Sequence, residues 1–184
     1  GARSQARARD RVGGRVDPAL HGAAHADPRR GRHGARRRAA QHPEARLRHE
    51  RARTISQLNS YADFCESGQW MDIRIDTAIP DKTPPKPDIR KTMVPLGPVV
   101  VFGASNFPFA YSTAGGDTAC AFAAGCPVVV KAHPAHAQTS EMVASAIHKA
   151  AANCYMPKGI FTHIHGAAVS VGEALVKHPL TKAV

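Results

Sequence analysis

The chain has 184 residues, and its 25 Lys and Arg against 14 Asp and Glu give a formal net charge of +11. Its longest apolar run, about a dozen residues over 119–130 with a Gly and a Pro inside, is too short to cross a bilayer. No basic and then apolar leader opens the sequence, and the four Cys form no CxxC pair, which disfavours a disulfide scaffold or a zinc ribbon. We therefore expect a cytoplasmic protein with no membrane partner.

The positive charge is concentrated at the start of the chain. Residues 1–53 hold 15 Arg and five acidic residues, whereas the remainder holds ten basic and nine acidic residues. Residues 1–45 have few large apolar side chains, so we predict that they are disordered. An Arg-rich tail can bind nucleic acid through phosphates, but this one has no Lys and no aromatic residue, which disfavours a nucleic-acid partner. Its monotonous composition is instead typical of a GC-rich gene translated in the wrong frame.

Three elements are predicted over residues 46–90. Apolar residues recur at helical spacing from Ile55 to Cys65, and Gly68 favours the end of a helix there. The alternation of apolar and charged residues over 71–76 predicts a strand with one solvent-facing side. Four prolines between residues 80 and 87 then predict a stiff, extended connector.

Residues 91–184 alternate short apolar runs with helical patterns. The predicted strands are at 99–102, 128–130 and 160–165. The predicted helices are at about 113–124, after a cap at Thr139 or Ser140, and at 171–177. This order predicts an α/β fold on a parallel sheet with right-handed crossovers, and residues 182–184 resemble the start of a further strand.

Open parallel sheets bind ligands at the carboxyl ends of their strands, so the residues after each run are the candidate site. The first strand is followed by 103–108, which is not the dinucleotide motif GxGxxG, and the second by 131–136. Gly166 follows the third strand, with Gly172 six residues on. Each segment taken singly has a structural explanation, such as the end of a strand, a solvated charge or a turn. His133 and His136 lack a third ligand nearby, so no metal site is predicted.

Taken together, the segments around Asn106, Lys131 and 166–172 resemble the cofactor-binding half of the aldehyde dehydrogenase superfamily. The run 94–108 is similar to the strand and catalytic-Asn segment of that family. The runs 114–118 and 125–136 are similar almost residue for residue to its NADP-dependent branch, which oxidises 2,5-dioxovalerate and fatty aldehydes. The resemblance implies a Rossmann-type sheet, here an incomplete one.

The resemblance also implies roles for individual residues. In this family a cysteine thiolate attacks the aldehyde and hydride passes to NAD(P)+, and Asn106 matches the asparagine whose side-chain amide donates to the developing oxyanion. Lys131 matches the lysine that holds the adenosine ribose. The implied cofactor site comprises Phe102, Gly103, Ala104, Ser105, Lys131, His133, Pro134, Gly166, Ala168 and Gly172.

Three of these positions depart from the broad family pattern. Pro134 replaces the glutamate with which NAD-preferring members bind the ribose hydroxyls, so a 2′-phosphate meets no carboxylate there. We therefore expect NADP as the cofactor, with NAD as the alternative. Ser105 replaces a tryptophan, as it does in the NADP-dependent branch, and Ala168 replaces a glycine that lets the helix approach the cofactor.

The resemblance places the nucleophilic cysteine and the glutamate of this family after Val184, whereas all four Cys lie upstream of that point. We therefore expect the 184-residue chain to be inactive by itself, and the full-length protein to oxidise a small aldehyde as a homo-oligomer. We divide the chain into the tail at 1–45, a helix, strand and connector at 46–90, and a partial NAD(P)-binding domain at 91–184. Two alternatives remain open, which are a non-catalytic nucleotide-binding remnant and an Arg-rich nucleic-acid binder.

Overall fold

The computed structural model describes residues 43–184, so the predicted disorder up to residue 42 lies outside the described residues. The first helix, α1, spans Glu44–Ser67, so the prediction of disorder was wrong for Glu44 and Ala45. The carbonyl of Pro43 accepts from the Leu47 amide at 3.2 Å, and Glu44 pairs with Arg48 one turn later at 2.6 Å. These local contacts support a polar helix start, which a prediction based on apolar content misses.

The end of α1 is as predicted. Gly68 takes the left-handed conformation with φ of +70°, and its amide donates to the Cys65 carbonyl at 3.2 Å. Glycine adopts this conformation without the steric cost that a Cβ brings, so the helix ends there.

The segment after α1 is a hairpin, which the sequence analysis did not predict. Strand β1, Arg74–Asp76, pairs antiparallel with strand β2, Ile89–Lys91, and the prolines lie in the loop that joins them. The predicted strand starts too early, because Gln69–Met71 forms a 3₁₀ turn. The predicted extended connector is wrong, since the chain folds back. Ile75 is 61% exposed, so among residues 43–184 the hairpin has no buried face.

The parallel α/β sheet is confirmed. Its strands are β3, Val99–Phe102, β4, Val128–Lys131, and β5, Phe161–Ile164, which pair in the order β3-β4-β5. The helices between and after them are α2, Gly116–Ala123, α3, Ala137–Asn153, and α4, Val169–Lys177. The core lies where buried side chains of the sheet pack against α2 and α3.

The last residues add to the sheet as predicted. Ala183 forms a parallel bridge with Val99, and its carbonyl accepts from the Val100 amide at 2.9 Å. Because this segment lies beside β3, β5 is the opposite edge of the sheet among the described residues.

The strand register separates two layers of side chains. Val101, Val130 and His163 are direct neighbours across the sheet, and the two valines are buried. The next row contains Phe102, Lys131 and Ile164. Because side chains alternate along a strand, these two rows point to opposite faces. No helix within residues 43–184 is long and apolar enough to span a bilayer.

The starts of the helices differ from those predicted. Helix α2 begins at Gly116, three residues later than predicted, because Ser112 and Gly115 close a turn with an N···O distance of 2.9 Å. Helix α3 begins at Ala137, so neither Thr139 nor Ser140 is its cap. Ser140 is instead fully buried, and its hydroxyl hydrogen-bonds to the side chains of other elements. The role of Ser140 is therefore decided by its contacts with residues outside α3 and not by its position near the start of the helix.

Candidate active site

A groove of about 410 Å³ lies between the carboxyl ends of β3 and β4 and the helix α4. Four of the predicted cofactor-binding residues line it, namely Phe102, Lys131, Ala168 and Gly172. The groove is also lined by Ala167, Val169, Glu173, Val176 and Lys177. The structure therefore brings residues from three separate segments to one cavity. The cavity lies at the carboxyl ends of the strands, where parallel α/β proteins bind ligands.

Strand register and a glycine shape this groove. Phe102 and Lys131 are direct neighbours across β3 and β4, so both side chains face α4. A Cβ at Gly172 would lie 3.4 Å from Cε1 of Phe102, so the helix backbone lies close to the aromatic ring. The groove therefore has an apolar surface at Phe102 beside the ammonium of Lys131.

Lys131 is half-buried and forms no salt bridge with any residue of the 43–184 range. The groove's acidic side chain, Glu173, lies 3.5 Å from Nζ of Lys177 instead. A partly desolvated ammonium of this kind can hydrogen-bond to ribose hydroxyls or pair with a phosphate. The donor set of the groove therefore fits an anionic nucleotide.

Residues 103–106 form the loop after β3 and do not line the groove. The Gly103 amide donates to the Lys131 carbonyl at 3.1 Å, and the Ala104 amide donates to the Tyr111 carbonyl at 2.8 Å. Ser105 and Asn106 are exposed at the bend that follows. The predicted catalytic residue is thus accessible, on a loop whose first residues are held by β4 and by the chain after the bend.

Helix α1 holds the rest of this loop, which sequence reasoning missed. The guanidinium of Arg46 donates to the Asn106 carbonyl at 2.7 Å and lies 4.9 Å from the centroid of the Phe107 ring. Glu50, which is 4% exposed, accepts from the amides of Phe109 and Ala110 at 3.1 and 3.0 Å. These partners are about 60 positions apart in the chain, so local pattern carries no signal for them.

His133 and Pro134 form the turn after β4 and do not line the groove. The Nδ1 atom of His133 accepts from the Ala135 amide at 3.1 Å, and Pro134 is exposed at the start of the turn. His136 donates from Nε2 to the Ala104 carbonyl at 2.7 Å, which ties the turn to the loop after β3. Burial lowers the pKa of His133, and the nearby His136 and Lys131 lower it further, so this imidazole is neutral at pH 7.

Gly166 and Ala168 connect β5 to α4. A Cβ at Gly166 would lie 2.9 Å from Cγ2 of Val171, so the absence of a side chain lets the chain turn into the helix. Ala168 precedes the first residue of α4 and lines the groove, whereas Gly166 does not.

Most of the groove residues that were not predicted from the sequence lie on one face of α4. Val169, Gly172, Glu173 and Val176 follow the spacing i, i+3, i+4, i+7, which places them on a single helix face. The predicted helix, 171–177, contained three of these four residues and began two residues later than α4 does, and only its glycine was assigned to the site.

Comparisons with known proteins find a matching family model and several similar sequences. The model of the "Aldehyde dehydrogenase family" matches residues 37–184. The chain is 54% identical over 143 residues to alpha-ketoglutaric semialdehyde dehydrogenase 2 of Azospirillum brasilense, covering 77% of this chain and 27% of that protein. It is 50% identical over 142 residues to alpha-ketoglutaric semialdehyde dehydrogenase of Acinetobacter baylyi, with the same coverage of both proteins.

Among solved structures, the fold is similar to that of a glyceraldehyde-3-phosphate dehydrogenase from Methanocaldococcus jannaschii, determined in complex with NADP. The TM-score is 0.65 at 18% identity, over 94% of this chain and 35% of that one. The chain therefore spans about a quarter of the length of the curated relatives that it matches, and about a third of this structural neighbour.

Proposed function

The chain belongs to the aldehyde dehydrogenase family, and on that premise we propose that its groove binds NADP, with NAD as the weaker alternative. The observation that carries the proposal is the Lys131 ammonium, which forms no salt bridge with residues 43–184 and lies in a groove formed by β3, β4 and α4. The protein to which this chain contributes would oxidise a small semialdehyde, such as 2,5-dioxovalerate, to the carboxylic acid. The identities of 54% and 50% to two alpha-ketoglutaric semialdehyde dehydrogenases support that substrate class.

The four predicted residues that line the groove have proposed tasks. Lys131 would hydrogen-bond to the adenosine ribose or its phosphate, and Phe102 with Gly172 would form the apolar surface beside it. Ala168 would limit how closely α4 approaches the ligand. When bound, the cofactor supplies the hydride acceptor for the reaction.

Five further residues have proposed roles around the groove. Gly103, Ala104 and Ser105 would position the loop after β3 near the cofactor, while His133 and Gly166 would position the chain segments after β4 and β5. These five do not line the groove, so their contribution is to the positions of the flanking chain segments.

We propose that Asn106 donates its side-chain amide to the oxyanion of the reacting aldehyde. The residue is exposed at the bend after β3, and Arg46 and Glu50 hold the backbone around it. An uncharged donor held in advance stabilises negative charge that develops only in the transition state, and losing one such donor typically costs about 10²–10³ in rate. We further propose that the full-length protein is a homo-oligomer.

Lys131→Ala is expected to weaken NADP+ binding by about tenfold to a hundredfold, because it removes one charge-assisted hydrogen bond from a partly desolvated site. Isothermal titration of the 184-residue chain with NADP+ measures the effect. The matched control is Lys149→Ala, an equal change of charge at an exposed position of α3. Equal affinities of the two variants and the wild type would contradict the assignment of Lys131.

Pro134→Glu is expected to shift the preference from NADP+ toward NAD+ by about tenfold or more, because a carboxylate there repels the 2′-phosphate and accepts from ribose hydroxyls. The ratio of the two dissociation constants, measured by titration, gives the shift. Pro134→Gln serves as the control, since it changes the backbone in the same way without adding charge. If both substitutions leave the ratio unchanged, Pro134 does not select the cofactor.

A further inference from the structure

A cluster of potential metal ligands lies at β5, the edge strand of the sheet among residues 43–184, away from the groove. It consists of Glu141 in the first part of α3, His163 in β5, and His165 just after β5. His163 belongs to the row of side chains that faces α3, whereas the groove is formed on the face where Lys131 and Phe102 point. The cluster is therefore separate from the proposed cofactor site.

The ligand atoms of the cluster already converge. Oε2 of Glu141 lies 3.3 Å from Nδ1 of His163 and 2.7 Å from Nε2 of His165. All three ligand atoms lie within 4.8 Å of one another. Three tetrahedral ligands at zinc bond lengths of about 2.0–2.1 Å are about 3.3 Å apart, so side-chain shifts of roughly an ångström would admit an ion.

His163 is the most buried residue of the cluster, and the ring nitrogen that faces away from Glu141 also forms a hydrogen bond. The side chain of His163 is 5% exposed, and its Nε2 lies 2.9 Å from the hydroxyl of Ser140. That hydroxyl is fully buried and hydrogen-bonds in turn to the hydroxyl of Thr113. Histidines that bind metals usually donate from the second nitrogen to an oxygen acceptor, which fixes the ring and its tautomer. Here that contact fixes His163 with Nδ1 directed at Glu141.

The exposure of the cluster also suits a cation. Glu141 and His165 are 59% and 47% exposed, so an ion can reach the cluster from solvent.

We propose that Glu141, His163 and His165 bind one divalent transition-metal ion of the zinc type, with a fourth position open to water. Two imidazoles and one carboxylate form a donor set that suits zinc and its neighbours rather than magnesium or calcium. The bound ion joins the start of α3 to the edge strand β5, and so stabilises the folded state by its binding free energy.

The test is a titration of the metal-free 184-residue chain with Zn²⁺ and with Co²⁺, in wild type and in His165→Gln. Glutamine retains an N–H that can donate to Glu141 but is a poor zinc ligand, so the substitution separates metal binding from the hydrogen bond. We expect the variant to lose at least tenfold in affinity, together with the rise in melting temperature that Zn²⁺ produces in the wild type.

Imidazole and thiolate groups are zinc ligands in general, and the chain has further His and Cys residues, so the comparison between variants decides the result. His178→Gln, at an exposed position after α4, is the matched control and is expected to titrate as the wild type does. The Co²⁺ complex is expected to show d–d bands without thiolate charge transfer.

A second variant, Glu141→Gln, is expected to behave as His165→Gln does. If both cluster variants bind Zn²⁺ as tightly as the wild type and the control, the site does not exist. None of these measurements depends on cofactor binding.

Discussion

Gly115→Ala is expected to lower the free energy of unfolding by about 3 kcal/mol, at the upper end of the range for overpacking. A Cβ at this position would lie 2.5 Å from the carbonyl oxygen of Ala110, 2.8 Å from its carbonyl carbon and 2.9 Å from the amide nitrogen of Ser112. All three are backbone atoms, so no side-chain rotation relieves the clash. The φ of Gly115 is −71°, so the cost arises from contact and not from an unusual backbone conformation.

The backbone around Gly115 has little freedom to move. The Gly115 amide donates to the Ser112 carbonyl at 2.9 Å, and the Gly116 amide donates to the Ala110 carbonyl at 3.2 Å. Ala110, Ser112 and Thr113 are each only 1% exposed. A shift large enough to admit the Cβ would break these hydrogen bonds in a buried turn.

Urea denaturation followed by circular dichroism measures this loss. Gly172→Ala is the matched control, because its Cβ would meet only the Phe102 ring at 3.4 Å within helix α4. That substitution is expected to be neutral or to stabilise by up to about 1 kcal/mol, since alanine is the better helix former. The steric argument fails if Gly115→Ala is as stable as Gly172→Ala.

Glu50→Ala is expected to lower the free energy of unfolding by about 3 kcal/mol, because it leaves two amides without an acceptor at about 1–3 kcal/mol each. The carboxylate accepts from Phe109 and Ala110, and the Ala110 amide is buried. Water therefore cannot easily replace the lost acceptor. The loop that carries Asn106 is expected to loosen as well, which faster hydrogen exchange at the Ala110 amide would reveal.

Two further variants calibrate this effect. Glu44→Ala removes an exposed carboxylate of the same helix, whose pair with Arg48 is solvated, and is expected to cost less than about 1 kcal/mol. Glu50→Gln keeps one acceptor oxygen and is expected to cost less than Glu50→Ala. A loss for Glu50→Ala no larger than that for Glu44→Ala would mean that the two amides find other acceptors.

Much of the fold could be predicted from local pattern. The runs Val99–Phe102 and Val128–Lys131 are strands because continuous apolar residues suit a sheet covered on both faces. Helices of the right length between them require parallel crossovers, and this requirement places Phe102 and Lys131 at the same end of the sheet. The sequence alone therefore places two residues of the groove together.

The hairpin shows where local pattern misleads. Alternating residues around Ile75 predict one buried face, but burial depends on what packs against the strand, and among residues 43–184 nothing covers it. The prolines that suggested an extended connector instead occupy its loop. Whether a proline-rich segment extends or turns back depends on the pairing of Ile79 with Lys86 across it.

The sequence by itself determined the order of strands and helices from Val99 onward, the end of the sheet that carries the groove, and the family. These features follow from hydrophobic periodicity and from short motifs, both of which are patterns among residues that are close together in the sequence. Only the tertiary structure decided that Glu50 holds the loop of Asn106, that Ser140 supports His163 instead of capping a helix, and that Glu141 meets two histidines. These contacts join residues 22 to 60 positions apart, and their side chains are polar, so no periodicity marks them before the chain has folded.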